Sequence, residues 1–133
     1  MLRATLWLAG LLPGLCAAAG TWHAASEGVT LPLRNQSRST PLLHPPAAAP
    51  IGSGLIVSVR WRYRLLSPPP AGLQAWLCTP QRCTAIEGQS GVTHALRGEP
   101  ATQPLRLVFS VRGKGVLNPP VRVVGQEVGV NYW

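Results

Sequence analysis

The chain has 133 residues, with 12 Lys plus Arg, 4 Asp plus Glu (all Glu) and a formal net charge of +8. Without Asp, an aspartic dyad, an Asp-ligated Ca²⁺ or Mg²⁺ site and a Ser-His-Asp triad are excluded. The length fits one domain, and an apolar fraction of 46% is too high for a disordered tail despite 14 Gly and 14 Pro.

Residues 1–19 read as a secretory signal. Arg3 supplies a positive start, Leu6-Trp7-Leu8-Ala9-Gly10-Leu11-Leu12 an apolar run, and Ala17-Ala18-Ala19 small residues before a cut expected after Ala19. The run is shorter than the about 20 apolar residues of a membrane span. A lipoprotein cut at Cys16 is disfavoured, because Pro13-Gly14-Leu15 lacks the small residue it needs. Removing 1–19 from the 133 residues leaves 114 at a net charge of +7, since Arg3 leaves with them. Cys16 also goes, so Cys78 and Cys83 remain as an even pair in an oxidising compartment, which reads as a disulfide.

From residue 20 onward the pattern is nearly all period two, with no convincing helical window. Short strands are predicted at 21–25 and 29–34. Asn35-Gln36-Ser37 matches a glycosylation triplet, a weak signal. Residues 37–54 hold Pro41, Pro45, Pro46 and Pro50 and read as a long surface loop or an extended crossover between sheets. Residues 55–66 form the clearest strand. Leu55, Val57, Val59, Trp61, Tyr63 and Leu65 are assigned to one face, and Ile56, Ser58, Arg60, Arg62, Arg64 and Leu66 to the other.

Ser67-Pro68-Pro69-Pro70-Ala71-Gly72 is a turn, followed by strands at 73–78 and 83–87. Between them, Cys-Thr-Pro-Gln-Arg-Cys places Cys78 opposite Cys83 across a tight turn. Such a ring contributes about 2 kcal/mol on the loop-entropy model. The spacing is wrong for a redox pair, and a zinc site lacks two further ligands at matching spacing. Strands are predicted at 91–97, 105–112 and 121–124, with turns at Arg97-Gly98-Glu99-Pro100, Gly113-Lys114-Gly115 and Asn118-Pro119-Pro120. The last stretch sets Val128, Val130 and Tyr132 against Glu127, Gly129 and Asn131. This gives an all-β fold: an antiparallel two-sheet sandwich of roughly eight short strands spanning 20–133, with a small β-barrel as the alternative.

Arg60, Arg62 and Arg64 are the distinctive surface feature. Alternate residues on a strand lie about 7 Å apart, so their repulsion in water is only about half a kcal/mol per pair. Burying an unpaired guanidinium costs several kcal/mol. This face must therefore be wet or meet anions. A solvated face or protected edge is the plainer explanation of the row, and an anion-facing or partner-facing strip is the functional one. Arg106 and Arg112 extend the strip if 105–112 lies alongside. Nucleic acid is a poor candidate, since no binding motif appears. Anionic envelope material or an acidic protein surface fits the charge better. Trp22, Trp61 and Trp76 are read as core rather than as a sugar-binding platform, and Trp133 as exposed. His23, His44 and His94 show no ligand spacing. His94, alternating with Val92 and Leu96, reads as a core histidine. Four scattered Glu offer no general acid/base pair, so no enzyme, cofactor or metal is expected.

Five segments carry a family resemblance. They are Leu-Leu-Ser-Pro-Pro-Pro-Ala-Gly-Leu (65–73), Leu-Cys-Thr-Pro-Gln-Arg-Cys (77–83), Gly-Glu-Pro-Ala (98–101), Gly-Lys-Gly-Val-Leu-Asn-Pro-Pro-Val-Arg-Val (113–123) and Val-Asn-Tyr (130–132). In order and spacing they resemble the FlhE family, small periplasmic proteins encoded with flagellar export genes. The resemblance implies a periplasmic β-sandwich without established enzymatic activity. It also implies a role in flagellar assembly, tied to the type III export apparatus and to limiting proton leakage through it. It carries over no functional residues. The expected partner is a flagellar export or basal-body protein, with Arg60, Arg62 and Arg64 as candidate contacts and no stable membrane insertion. The alternatives are a periplasmic chaperone for secreted subunits, which adds a client strand at an open edge, and an envelope glycan or peptidoglycan binder.

Overall fold

Alternating apolar and polar side chains, interrupted by Gly and Pro, produce nine strands and no helix in the part of the chain that the structure, a computed structural model, describes: residues 19–133. The signal-segment expectation, with Arg3 and Cys16, lies outside the described residues. In chain order the strands are β1 (Gly20–Ala25), β2 (Val29–Leu33), β3 (Arg38–Ser39), β4 (Ile56–Leu65), β5 (Leu73–Cys78), β6 (Cys83–Ile86), β7 (Ser90–Thr93), β8 (Arg106–Val111) and β9 (Val116–Tyr132).

They form two antiparallel sheets, not a closed barrel. One runs β1-β9-β4-β7, with β2 pairing β9 beyond the end of β1. The other runs β3-β8-β5-β6. The expected sandwich therefore stands, with one strand more than anticipated.

The core lies between the sheets. Val59, Trp61 and Tyr63 of β4 and Val128 and Val130 of β9 face Leu77 of β5 and Leu107 and Phe109 of β8. Burying each such side chain contributes about 1.5–3 kcal/mol. Tyr63 and Phe109 meet edge to face at 5.0 Å and 79°, which binds the layers directly. Trp22 Nε1 donates to the Ala101 carbonyl at 2.9 Å, so this buried indole leaves no orphaned donor.

Residues 37–54 do cross between sheets. The segment pairs with β8 through β3, continues through the Thr40 amide to the Leu107 carbonyl at 2.9 Å, and makes the Leu43–Leu105 bridge. It then returns to β4 in the opposite sheet. Thr40 and Leu43 are buried, so this Pro-rich stretch is part of the packing and not a loose loop.

Four sequence expectations are corrected. Asn118-Pro119-Pro120 is not a turn: β9 runs unbroken through it. The prolines fall between the Val116–Leu33 and Val121–Leu31 pairs, in an irregularity of the β2 ladder, and beyond the Val123–Leu65 end of the β4 pairing. Neither neighbour needs an amide hydrogen there. In β4 the assigned faces fail at the start, where Ile56 is buried and Leu55 exposed. A bulge between Ile56 and Ser58 shifts the phase by one residue. Trp76 is only half-buried, because Ala75 and Leu77 take the inward phase of β5. His94 is exposed: β7 stops at Thr93, and a turn follows in which the Arg97 amide donates to the His94 carbonyl at 3.1 Å.

Candidate functional site

Cys78 and Cys83 are directly opposite residues of β5 and β6, with Cα atoms 4.0 Å apart, and form a disulfide. Thr79 shapes the turn: its hydroxyl accepts from the Gln81 and Arg82 amides at 3.2 and 3.0 Å. The bond staples a hairpin of the four-stranded sheet. Among the described residues, no three His, Cys or Glu gather in a way that could hold a metal ion.

The Arg60, Arg62 and Arg64 side chains are all exposed on the outer face of the five-stranded sheet, while Trp61 and Tyr63 between them point into the core. Antiparallel register orders this face into rows. In one, Thr21, Asn131 and Ser58 lie side by side across β1, β9 and β4. Thr21 Oγ1 donates to Asn131 Oδ1 at 2.7 Å, and Asn131 Nδ2 donates to Ser58 Oγ at 2.9 Å. The next row is His23, Gly129, Arg60 and Val92. The third is Ala25, Glu127, Arg62 and Ser90.

These rows set the electrostatics. Arg62 Nη2 lies 2.7 Å from Glu127 Oε2, the one ion pair among the described residues. The hydrogen bond and charge of Glu127 raise the Arg62 pKa, so this guanidinium is held more firmly protonated. Arg60 and Arg64 have no carboxylate partner among the described residues. Gly129 leaves the middle of the second row bare. A Cβ there would lie 3.0 Å from His23 Nδ1, so the imidazole rests against open backbone. The result is a trough of about 460 Å³ lined by His23, Arg60, Arg62, Val92, Glu127 and Gly129, among others. Farther along, β9 bulges at Gly125, whose φ of 62° suits glycine. The bulge turns Gln126 inward, where its Nε2 donates to Ser26 Oγ and to the Glu27 carbonyl. The Arg64 guanidinium lies over the bare Gly125, with Nε 3.4 Å from where a Cβ would stand.

The structure thus brings Arg60, Arg62 and Arg64 together on one face. It does not bring Arg106 and Arg112 to them, since β8 belongs to the other sheet. It adds two residues that sequence reasoning passed over. Arg122 takes the outward phase between Val121 and Val123, and His23 takes the outward phase beside Trp22. Their alternation was the available signal. Such a face can hold carboxylates or phosphates by charge-assisted hydrogen bonds. It offers no nucleophile-base pair.

The family model described as "Flagellar protein FlhE" matches residues 28–133. Flagellar protein FlhE of Escherichia coli K12 is 46% identical over 92% of this chain and 93% of that protein. The Yersinia enterocolitica protein of that name is 42% identical over 96% of this chain and 91% of its own. The Salmonella typhimurium protein is 44% identical over 95% and 97%. A solved structure described as "Crystal Structure of FLHE" superposes with a TM-score of 0.81 at 42% identity, covering 87% of this chain and 98% of that one.

Proposed function

The chain belongs to the flagellar protein FlhE family, and from that premise we propose that it is a non-enzymatic accessory protein of flagellar assembly that works in the periplasm. Residues 1–19 direct export and are removed, and 20–133 act as one β-sandwich domain. The protein associates with the flagellar type III export apparatus and limits proton leakage through it by binding a flagellar export or basal-body component. The Cys78–Cys83 bond suits an oxidising compartment. The names of the relatives support the flagellar setting.

One observation carries the binding face: Arg60 and Arg64 stand exposed on a sheet without carboxylate partners, on either side of an Arg62 already paired to Glu127. Free guanidinium groups in a fixed row favour an acidic partner surface and steer its approach. The test is Arg60→Glu with Arg64→Glu, which leaves the Arg62–Glu127 pair in place. The double variant is expected to fold like the parent. It should fail to restore motility and cytoplasmic pH homeostasis to a strain lacking the protein. A photocrosslinker at position 60 should trap a flagellar component. Full restoration of both phenotypes by the double variant would remove the Arg face from the proposal and leave family membership intact.

A further inference from the structure

Three exposed large aliphatic side chains, the two most exposed among them, gather at one end of the sandwich. They are Val116 at 74% exposure, Leu66 at 59% and Leu33 at 40%. Leu33 and Val116 are paired residues of β2 and β9. The Leu66 amide donates to the Arg122 carbonyl at 3.1 Å, which seats Leu66 beside Arg122. Arg34 ties the end together. Its amide donates to the Gly115 carbonyl at 2.9 Å, and its Nη1 donates to the carbonyls of Arg112 at 2.9 Å and Ala71 at 3.2 Å. The β8–β9 hairpin and the 66–72 loop therefore flank a shallow trough of about 420 Å³ between Val116 and Pro68.

Cations ring these aliphatic groups. Arg112 and Lys114 lie in the hairpin and Arg122 on β9, and all three are exposed. Against them stands Glu87, in the turn between β6 and β7 that also lies at this end, beside Leu65 and Pro70. Among the described residues no helix is long and apolar enough to cross a membrane.

We infer that this end docks on an anionic lipid surface, with Val116 and Leu66 entering the headgroup layer and Arg112, Lys114 and Arg122 meeting lipid phosphates. An acidic protein patch would satisfy the cations and leave the aliphatic side chains against polar atoms. An apolar peptide would do the reverse. The boundary of an anionic bilayer supplies phosphate and hydrocarbon within about 5–10 Å of depth, which matches an aliphatic tip ringed by long basic side chains. The docking is peripheral, and it is independent of which flagellar component meets Arg60.

The experiment uses the chain from Gly20, which contains every strand and the core cluster of the described residues. It is sedimented with vesicles of phosphatidylcholine alone or mixed with phosphatidylglycerol. Binding is expected to the mixed vesicles and not to the neutral ones, and should be lost near about 1 M salt, where the screening length is only about 3 Å. Each cation near such a surface is worth about fivefold in partitioning, so Arg112→Glu with Lys114→Glu should lower binding by more than about 20-fold. Val116→Asp should lower it by about tenfold or more, the scale of burying one valine. A Val116→Cys variant carrying an environment-sensitive fluorophore should shift to the blue on the mixed vesicles. Val116 is exposed, so these variants should keep the parent circular dichroism spectrum. Three results would each overturn the inference: no partitioning onto mixed vesicles, no spectral shift at position 116, or capture of soluble polyglutamate without vesicle binding. None of them touches the flagellar reading, because the assay contains no flagellar component.

Discussion

The two outer faces of the sandwich are built on the same plan and carry different chemistry. Both sheets turn valine, leucine and aromatic side chains inward, and both strand sets alternate. Outside, the five-stranded sheet presents Arg60, Arg62 and Arg64 with His23, Glu127 and Arg122. The four-stranded sheet presents Gln74, Trp76, Val108 and Ser110 in register, with Arg106 beside the disulfide. If the arginine row served only to keep a sheet face in water, the second face would need the same device. It manages with few charges. The inner pattern is dictated by packing and is common to both layers, so what distinguishes the molecule is written on the outside of one of them.

The comparison can be broken or sharpened by substitution. The largest effect should come from Phe109→Ala, a fully buried ring packed on Tyr63, which is expected to cost about 3–5 kcal/mol in chemical denaturation and to loosen both layers together. Replacing Cys78 and Cys83 with Ser should cost about 2 kcal/mol. Hydrogen exchange should then quicken in β5 and β6 while the arginine face keeps its protection, which separates the two layers. Gly129→Leu fills the bare site between His23 and Arg60. It should abolish crosslinking from position 60 and lower stability by about 1 kcal/mol, because the buried backbone there has room for a side chain only if the exposed His23 ring, 3.0 Å from the new Cβ, swings away. Arg60→Glu with Arg64→Glu should change stability by only about 0.5 kcal/mol, and equal losses of fold and function would merge what the comparison separates. The smallest effect concerns pH. Burial raises the Tyr63 pKa above its ordinary 10.0. The unfolded chain therefore loses its phenol proton first, and stability falls as pH rises above 10.0, a fall that Tyr63→Phe should lessen.

The middle of β4 could be read directly from the chain: Trp61 and Tyr63 inward, Arg60, Arg62 and Arg64 outward. The reason is energetic, since exposing two aromatics and burying three guanidinium groups is prohibitive. The ends of strands were less legible. At Leu55 and Ile56 a bulge inverts the phase, and its position depends on how Tyr132 and Asn131 pair across the sheet. Asn118-Pro119-Pro120 carries a strong local turn signal, yet strand continuity there depends on both neighbouring ladders needing no amide at those positions. Trp76 reads as core because aromatic rings dominate core energetics, but its phase relative to Ala75 and Leu77 turns it to the outer face. For the candidate face, the arginine row was visible, while the bare site at Gly129 and the contribution of His23 require the register of three strands. Arg106 and Arg112 could not be excluded from the row until the sheet order separated β8 from β4.

The strand that comes last in the chain, β9, is also the spine of its sheet, with β1 and β2 on one side and β4 on the other. Its closing residues pair with the earliest described strand, Gly20 with Tyr132 and Trp22 with Val130. During synthesis, β1 and β2 therefore emerge from the ribosome before their neighbour in that layer, and β4 finds only β7. Pairing between such distant segments is slow. The layer that carries the arginine row therefore closes only when its final strand appears. A premature stop before Val116 should yield a collapsed product with no partial activity.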